Sequence, residues 1–344
     1  MKIFLTGVDG YIGTLLAPLL IDRGHDVIGL DTGFYRQGWL YSGPANARVL
    51  PQTLSKDLRH VQIGDLAGSQ CVIHLAELSN DPLGEMRPEV TVAINHGASV
   101  RLAAMAKQAG VSRFIYASSC SVYGAGREGL LTEQDETNPQ TTYARCKVLV
   151  ETDVGALADD RFSPVFLRNA TAYGASPRMR FDIVLNNLAG LARTTGKICM
   201  TSDGTPWRPL VHVLDICRAI ACAAEAPRES IHGEIFNVGH NDQNYQVREI
   251  AALVREEFTG CEVVLGSEGN DRRSYRVSFD KIHAGLPGFR CDWDARRGVA
   301  QLHKLFERID LTRERFEFRA FTRLEELKYL VRTRQLDHEL FWNR

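Results

Sequence analysis

Tyr143 and Lys147 are four residues apart in Tyr143-Ala144-Arg145-Cys146-Lys147. On a helix this spacing puts both on one face. A free tyrosine titrates at about 10 and is a poor base at neutral pH. A neighbouring ammonium favours the phenolate, so the pair predicts a lowered tyrosine pKa and a side chain that takes a proton from a hydroxyl or returns it. Ser118-Ser119 ends an apolar run, with Ser119 24 residues before Tyr143. Ser119 is placed to hydrogen-bond the reacting oxygen. Near the start, Gly7-Val8-Asp9-Gly10-Tyr11-Ile12-Gly13 spaces three glycines by three. Such a turn lets backbone approach a pyrophosphate, and the following helix offers free N–H donors. Asp31, 18 residues beyond Gly13, ends the next apolar run. A carboxylate there accepts hydrogen bonds from ribose hydroxyls and repels a 2′-phosphate, which favours NAD over NADP.

These groups need elements to hold them. Apolar runs at 2–6, 25–31, 71–76, 113–119, 162–168 and 233–239 read as strands. Helical periodicity marks 12–23, which stops at Gly24, then 99–110 and 143–158. Near-continuous apolar strands separated by helices predict a parallel sheet covered on both faces. The expected fold class is α/β: a Rossmann-type doubly wound parallel sheet with a smaller C-terminal α/β substrate lobe. Residues 1–170 form the dinucleotide domain, with further sheet strands from about 209–240, and 171–344 supply most of the substrate lobe. Ligands of such sheets sit at the carboxyl ends of the strands, where Ser119 falls. Residues 32–55 read as an irregular surface excursion. The amphipathic stretch 321–336 reads as a packing helix.

The chain has 344 residues, enough for two domains or one large domain with a lobe. Lys+Arg is 41 and Asp+Glu 42, so the formal net charge of −1 provides no global field for nucleic acid or an anionic membrane. Apolar stretches fall short of the ~20 residues that span a bilayer. The run from Lys2 already reads as a strand, so a cytoplasmic protein is expected. The eight cysteines form no Cys-x-x-Cys pair and no zinc-like cluster, so buried thiols and no metal site are expected.

As a set, GVDGYIG (7–13), Asp31, HLA (74–76), SSCSVYG (118–124), YARCK (143–147), NATAYG (169–174), WRPLVHVLD (207–215), FNVG (236–239) and RRSYRVSFDK (272–281) resemble the extended short-chain dehydrogenase/reductases. More narrowly, they resemble the NAD-dependent epimerase/dehydratase enzymes acting on nucleotide sugars. The resemblance implies roles for Ser119, Tyr143 and Lys147 as the catalytic set, with Lys147 also on the nicotinamide ribose. It implies cofactor contacts at Gly7, Gly10, Tyr11, Ile12, Gly13, Asp31, Leu75, Ala76, Asn95 and Ser118. For the adenine, Asp57-Leu58 is preferred to Asp65-Leu66, because it leaves room for a helical turn before residue 71. Thr171, Asn187, Arg208 and Arg273 match substrate positions near a nucleotide diphosphate. Arg208 lies four before His212, as the family's phosphate-contacting arginine does; a structural pairing with Asp203 is the competing reading. His212 is expected to be a satisfied core histidine, and Cys120 no nucleophile.

Three positions depart from relatives within the family. The 4,6-dehydratases carry an acidic pair directly after the catalytic Ser/Thr, and UDP-glucuronate decarboxylases a Glu; here these positions are Cys120 and Ser121. Ser79 stands where 4-epimerases often have lysine, which speaks against a plain UDP-glucose 4-epimerase. The missing carboxylates disfavour dehydration and decarboxylation, so the resemblance implies redox epimerisation of a nucleotide sugar through a keto-sugar. A nucleotide-sugar ketoreductase is the alternative, with a 4,6-dehydratase or decarboxylase and a non-catalytic NAD-binding regulator behind it. A homodimer is expected through the helices 99–110 and 143–158, with Val100, Ala103, Ala104 and the Lys107 stem on one outer face and Val148, Val150, Val154 and Leu157 on the other.

Overall fold

The computed structural model describes residues 1–42, 51–79, 81–266 and 273–343. A seven-stranded sheet runs in the order Ile235–Val238, Ser163–Asn169, Arg113–Ser119, Cys71–His74, Lys2–Thr6, Asp26–Asp31, Gln52–Ser55. Every neighbouring pair in it is parallel. The inner strands are buried on both faces: all seven residues of Ser163–Asn169 and all four of Cys71–His74 are buried. That explains their unbroken apolar sequence. The chain builds outward from Lys2–Thr6 on one side and then returns to build on the other. A crevice opens where the order reverses, beyond the carboxyl ends of Lys2–Thr6 and Cys71–His74.

Most expected elements appear with shifted ends. Helices occupy Gly13–Asp22, Ser99–Gln108 and Thr142–Gly155. Part of the 32–55 excursion is the edge strand Gln52–Ser55, whose polar, largely exposed residues carry no apolar signature. Of the sheet strands expected from 209–240, only Ile235–Val238 joins the large sheet. Trp207–His212 instead pairs with Thr171–Tyr173 and Asn244–Gln246 in a separate sheet. Helix Val213–Glu225 packs beside Gly13–Asp22 on the large sheet, so the chain crosses between lobes more than once.

Helix Thr142–Gly155 is capped by Thr141, which accepts a bond from the Ala144 N–H at 3.2 Å. Its inner face buries Lys147, Val150, Glu151 and Val154. Ala103, Val150 and Val154 lie in the core beneath the sheet, which corrects their assignment to an outer, dimer-forming face. They are buried because both helices pack directly on the sheet. The exposed residues there are Arg101, Ala104, Gln108, Arg145, Leu149, Thr152, Asp153 and Ala156, with Leu149 at 43%.

Helix Arg323–Arg332 packs as expected, burying Leu327 and Leu330 with Phe34, Leu78 and Leu83. Among the described residues no helix is long and apolar enough to cross a membrane, and no His, Cys, Asp or Glu cluster is arranged for a metal.

Candidate active site and cofactor cavity

A cavity of about 170 Å³ lies in the crevice. Its floor is the glycine turn. Gly7 has φ +71° and a Cβ there would meet the Ala76 nitrogen at 2.9 Å. A Cβ on Gly13 would come within 2.2 Å of the Gly7 carbonyl oxygen. The glycines let this turn lie flat against the next strand end and let the helix start close above it. Gly10, Tyr11 and Ile12 complete the floor.

One end of the cavity is lined by Asp31, Asp57 and Leu58. Asp31 is held by N–H donors from Gly33 at 2.7 Å and Asp9 at 3.1 Å. Burial raises its carboxyl above the usual range. Asp57 caps the turn Leu58–His60 and pairs with Arg59 at 2.8 Å, while Asp65 pairs with Lys56 at 2.6 Å. Leu75, Ala76 and Glu77 line the far end.

A buried relay sets the loop from Leu75 to Leu78. The Leu75 and Ala76 N–H groups both donate to Thr6 Oγ1 at 3.2 Å. Thr6 meets His74 Nδ1 at 2.7 Å, and His74 Nε2 meets Ser99 Oγ at 2.7 Å. Burial pushes the His74 pKa down to about 3, so the ring is neutral. Asn95, expected at the cofactor, has its amide engaged by Leu78: it accepts from the Leu78 N–H at 2.9 Å and donates to the Leu78 carbonyl at 3.0 Å. It braces the loop. Ser118, also expected at the cofactor, is buried and donates to Glu151 at 2.5 Å.

Ser119, Tyr143 and Lys147 come together beyond the Glu77 end. Ser119 hydrogen-bonds Tyr143. The Lys147 ammonium lies 5.3 Å from the Tyr143 ring centre and donates to the Ala117 carbonyl at 2.5 Å. Sequence reading missed a third charge here. Glu77 pairs with Lys147 at 2.5 Å and accepts a bond from Tyr116 Oη at 2.5 Å, with both side chains of the ion pair at most 5% exposed. In AELSNDP this glutamate looks like an ordinary loop residue.

Its presence changes the expected electrostatics. Burial raises the Tyr143 pKa, Lys147 pulls it down, and Glu77 pushes it up again, so the net direction is upward. The lowered value expected from Tyr-x-x-x-Lys does not occur in this dry setting. Burial works against the charge of Lys147, but Glu77 and Tyr143 hold it protonated, above its ordinary value. Glu77→Gln removes a negative charge that disfavours the phenolate. The acidic limb of kcat/KM is therefore expected to move to lower pH. An unmoved limb in a pH–rate profile would show that Glu77 does not act on Tyr143.

The expected diphosphate residues are partly brought together. Arg208 donates to the carbonyls of Trp207, at 2.9 Å, and of Arg273. Arg273 pairs with Asp81, which also accepts from the Thr141 hydroxyl. Asp203 caps Thr205 at 2.8 Å. Asn187 donates to the Phe181 carbonyl at 2.9 Å and braces its own helix start. Thr171 opens a short strand whose next residue, Ala172, lines the cavity. Cys120 is buried and donates to the Arg168 carbonyl at 3.1 Å. His212 is buried, stacks on Trp293 with ring centres 4.1 Å apart, and meets Gln301 at 2.9 Å.

The sequence profile of the NAD dependent epimerase/dehydratase family matches residues 3–239. The chain belongs to this family. UDP-glucose 4-epimerase of Corynebacterium glutamicum is 27% identical over 269 residues, covering 74% of this chain and 80% of that protein. UDP-N-acetyl-alpha-D-glucosaminuronate decarboxylase of Bacillus cytotoxicus is 26% identical over 317 residues, covering 88% and 92%. A solved structure of MoeE5 in complex with UDP-glucose and NAD superposes with a TM-score of 0.77 at 27% identity, covering 90% of this chain and 99% of that one. This epimerase/dehydratase-family enzyme is NAD-dependent. The flat glycine turn and the carboxylates lining the cavity suit a dinucleotide. Arg180 reaches the Ser79 hydroxyl at 3.4 Å.

Proposed function

We propose that the enzyme epimerises a nucleotide sugar by transient oxidation to a keto-sugar. One observation carries this reading: Ser119, Tyr143 and Lys147 converge beside Glu77, which lines the cavity, while the two positions after Ser119 are a buried thiol and a buried serine. No carboxylate at those positions can drive a dehydration. NAD held against the glycine turn and Asp31 would supply the hydride chemistry, removal from the carbinol carbon and return to the opposite face of the keto-sugar. Tyr143 takes the hydroxyl proton and gives it back. Ser119 hydrogen-bonds the same oxygen. Lys147 keeps a positive charge near the phenol and reaches the nicotinamide ribose. Asp31 binds the adenosine ribose, and Asp57 and Leu58 border the adenine. Arg273 and Arg208 lie on the substrate's diphosphate side, with Arg208 holding the backbone of Arg273. The similarity to a UDP-glucose 4-epimerase supports the reaction type.

Absorbance of reduced nicotinamide during turnover separates the readings. An epimerase converts substrate with no net change. Stoichiometric consumption of NADH means a ketoreductase, and binding without turnover means a regulator.

We further propose a homodimer through the outer faces of Ser99–Gln108 and Thr142–Gly155. Leu149→Arg puts a charge at the centre of that face. It is expected to convert a dimer to a 38.4 kDa species in sedimentation. A wild-type monomer at micromolar concentration would reject the interface.

A further inference from the structure

Arg323 opens the C-terminal helix, far in sequence from the glycine turn, and lines the same cavity as Gly7, Gly10, Ala76 and Arg180. It is only 2% exposed, yet its Nη1 has no hydrogen-bond partner. The guanidinium lies 3.9 Å from the centre of the Tyr35 ring. Two nearby carboxylates are bonded to other arginines. Asp182 holds Arg180 by two bonds of 2.9 and 3.0 Å, and Asp9 takes Arg178 at 2.5 Å. Glu326, three residues along the same helix, lies 3.0 Å from Arg319, and neither of its carboxylate oxygens is hydrogen-bonded. Burial pushes the Arg323 pKa down to about 10, with Arg180 and Arg178 adding to the effect and Tyr35 and Asp182 opposing it. A buried guanidinium in a positive field is costly unless an anion completes it. Its planar fork matches phosphate oxygens.

The position of this arginine selects the anion. The same cavity is lined by the glycine turn with its helix start, a site suited to phosphate, and by Asp31 and Asp57. The segment carrying Arg323 is anchored to neighbours of these two carboxylates. Trp342 Nε1 donates to the Thr32 carbonyl at 2.7 Å. Phe341 stacks on His60 at 5.0 Å, and Arg59 lies 3.5 Å over its ring. The family profile ends at residue 239, so this strap lies outside the matched stretch.

We propose that Arg323 is a ligand of the dinucleotide's pyrophosphate, completing the anion site that the glycine turn begins. The C-terminal strap then retains the cofactor between turnovers. The inference rests on NAD as cofactor and not on the choice of reaction.

The test is equilibrium binding to cofactor-stripped protein, for wild type, Arg323→Gln and Arg323→Lys. The probes are NAD, ADP, adenosine and UDP. In Arg323→Gln the Kd for NAD and ADP is expected to rise about 10–100-fold, the loss of one charge-assisted contact. Adenosine and UDP should bind as before, and Arg323→Lys should fall between. Unchanged NAD and ADP binding would overturn the proposal. So would weakened UDP with intact NAD, which would assign the anion to the sugar nucleotide. Equal weakening of NAD, ADP and adenosine, with a lower melting temperature of the stripped protein, would make Arg323 structural. Turnover restored in Arg323→Gln at saturating NAD keeps this question separate from the identity of the reaction.

Discussion

Tyr143→Phe is expected to lower turnover by about 10²–10⁴-fold, the usual contribution of a positioned general acid–base. The ring stays, so the packing of helix Thr142–Gly155 against the sheet should survive, and with it NAD binding. Only the hydroxyl is lost, together with its hydrogen bond to Ser119. Burial holds this phenol protonated at neutral pH, with Glu77 adding to the effect and Lys147 opposing it. Wild-type kcat/KM should therefore climb with pH on its acidic side, as the phenolate forms, and the variant should lose that limb. Single-turnover rates with bound NAD, alongside circular dichroism, test both points. Turnover within a few-fold of wild type would remove Tyr143 from the reaction.

Arg168→Ala is expected to be the most damaging change to stability. Arg168 and Glu151 form a buried ion pair, each side chain 5% exposed, through bonds of 2.7 and 3.0 Å. Ser118 donates to the same carboxylate, and Arg168 also donates to Tyr123 Oη at 3.0 Å. Removing one partner strands a buried charge and costs about 3–5 kcal/mol. That is a large part of the ~5–15 kcal/mol that holds a typical protein folded. The paired change Arg168→Met/Glu151→Leu removes both charges and keeps much of the volume, so it should lose less than Arg168→Ala alone. Urea denaturation of both variants checks this. A loss under about 1 kcal/mol for Arg168→Ala would mean that the pair is not a buried structural charge. Because Glu151 is one turn beyond Lys147, the single variant should also disturb Lys147.

Wherever a residue's job is set by local backbone, the sequence already reveals it. Gly7 is demanded by a left-handed turn pressed against the Ala76 backbone, and Gly13 by the helix start closing on the Gly7 carbonyl. The central strands show as unbroken apolar runs because both their faces are covered. Tyr143 and Lys147 share a face by helical spacing alone. Gln52–Ser55 was illegible because an exposed edge strand needs no apolar residues. The remaining features depend on contacts between distant segments. Glu77 reaches Lys147 across 70 residues, and Glu151 meets Arg168 and Ser118 from another element, so no local pattern announces them. Burial, with Glu77 adding to it, reverses the expected direction of the Tyr143 pKa, because desolvation is a property of the packed interior. The bonds that Asn95 makes to Leu78 and Ser118 to Glu151 are illegible for the same reason: these partners are chosen by the fold. Arg323 reads as one more charge on an amphipathic helix until the chain folds back and buries it in the cavity, where a dry environment makes its unmet Nη1 costly.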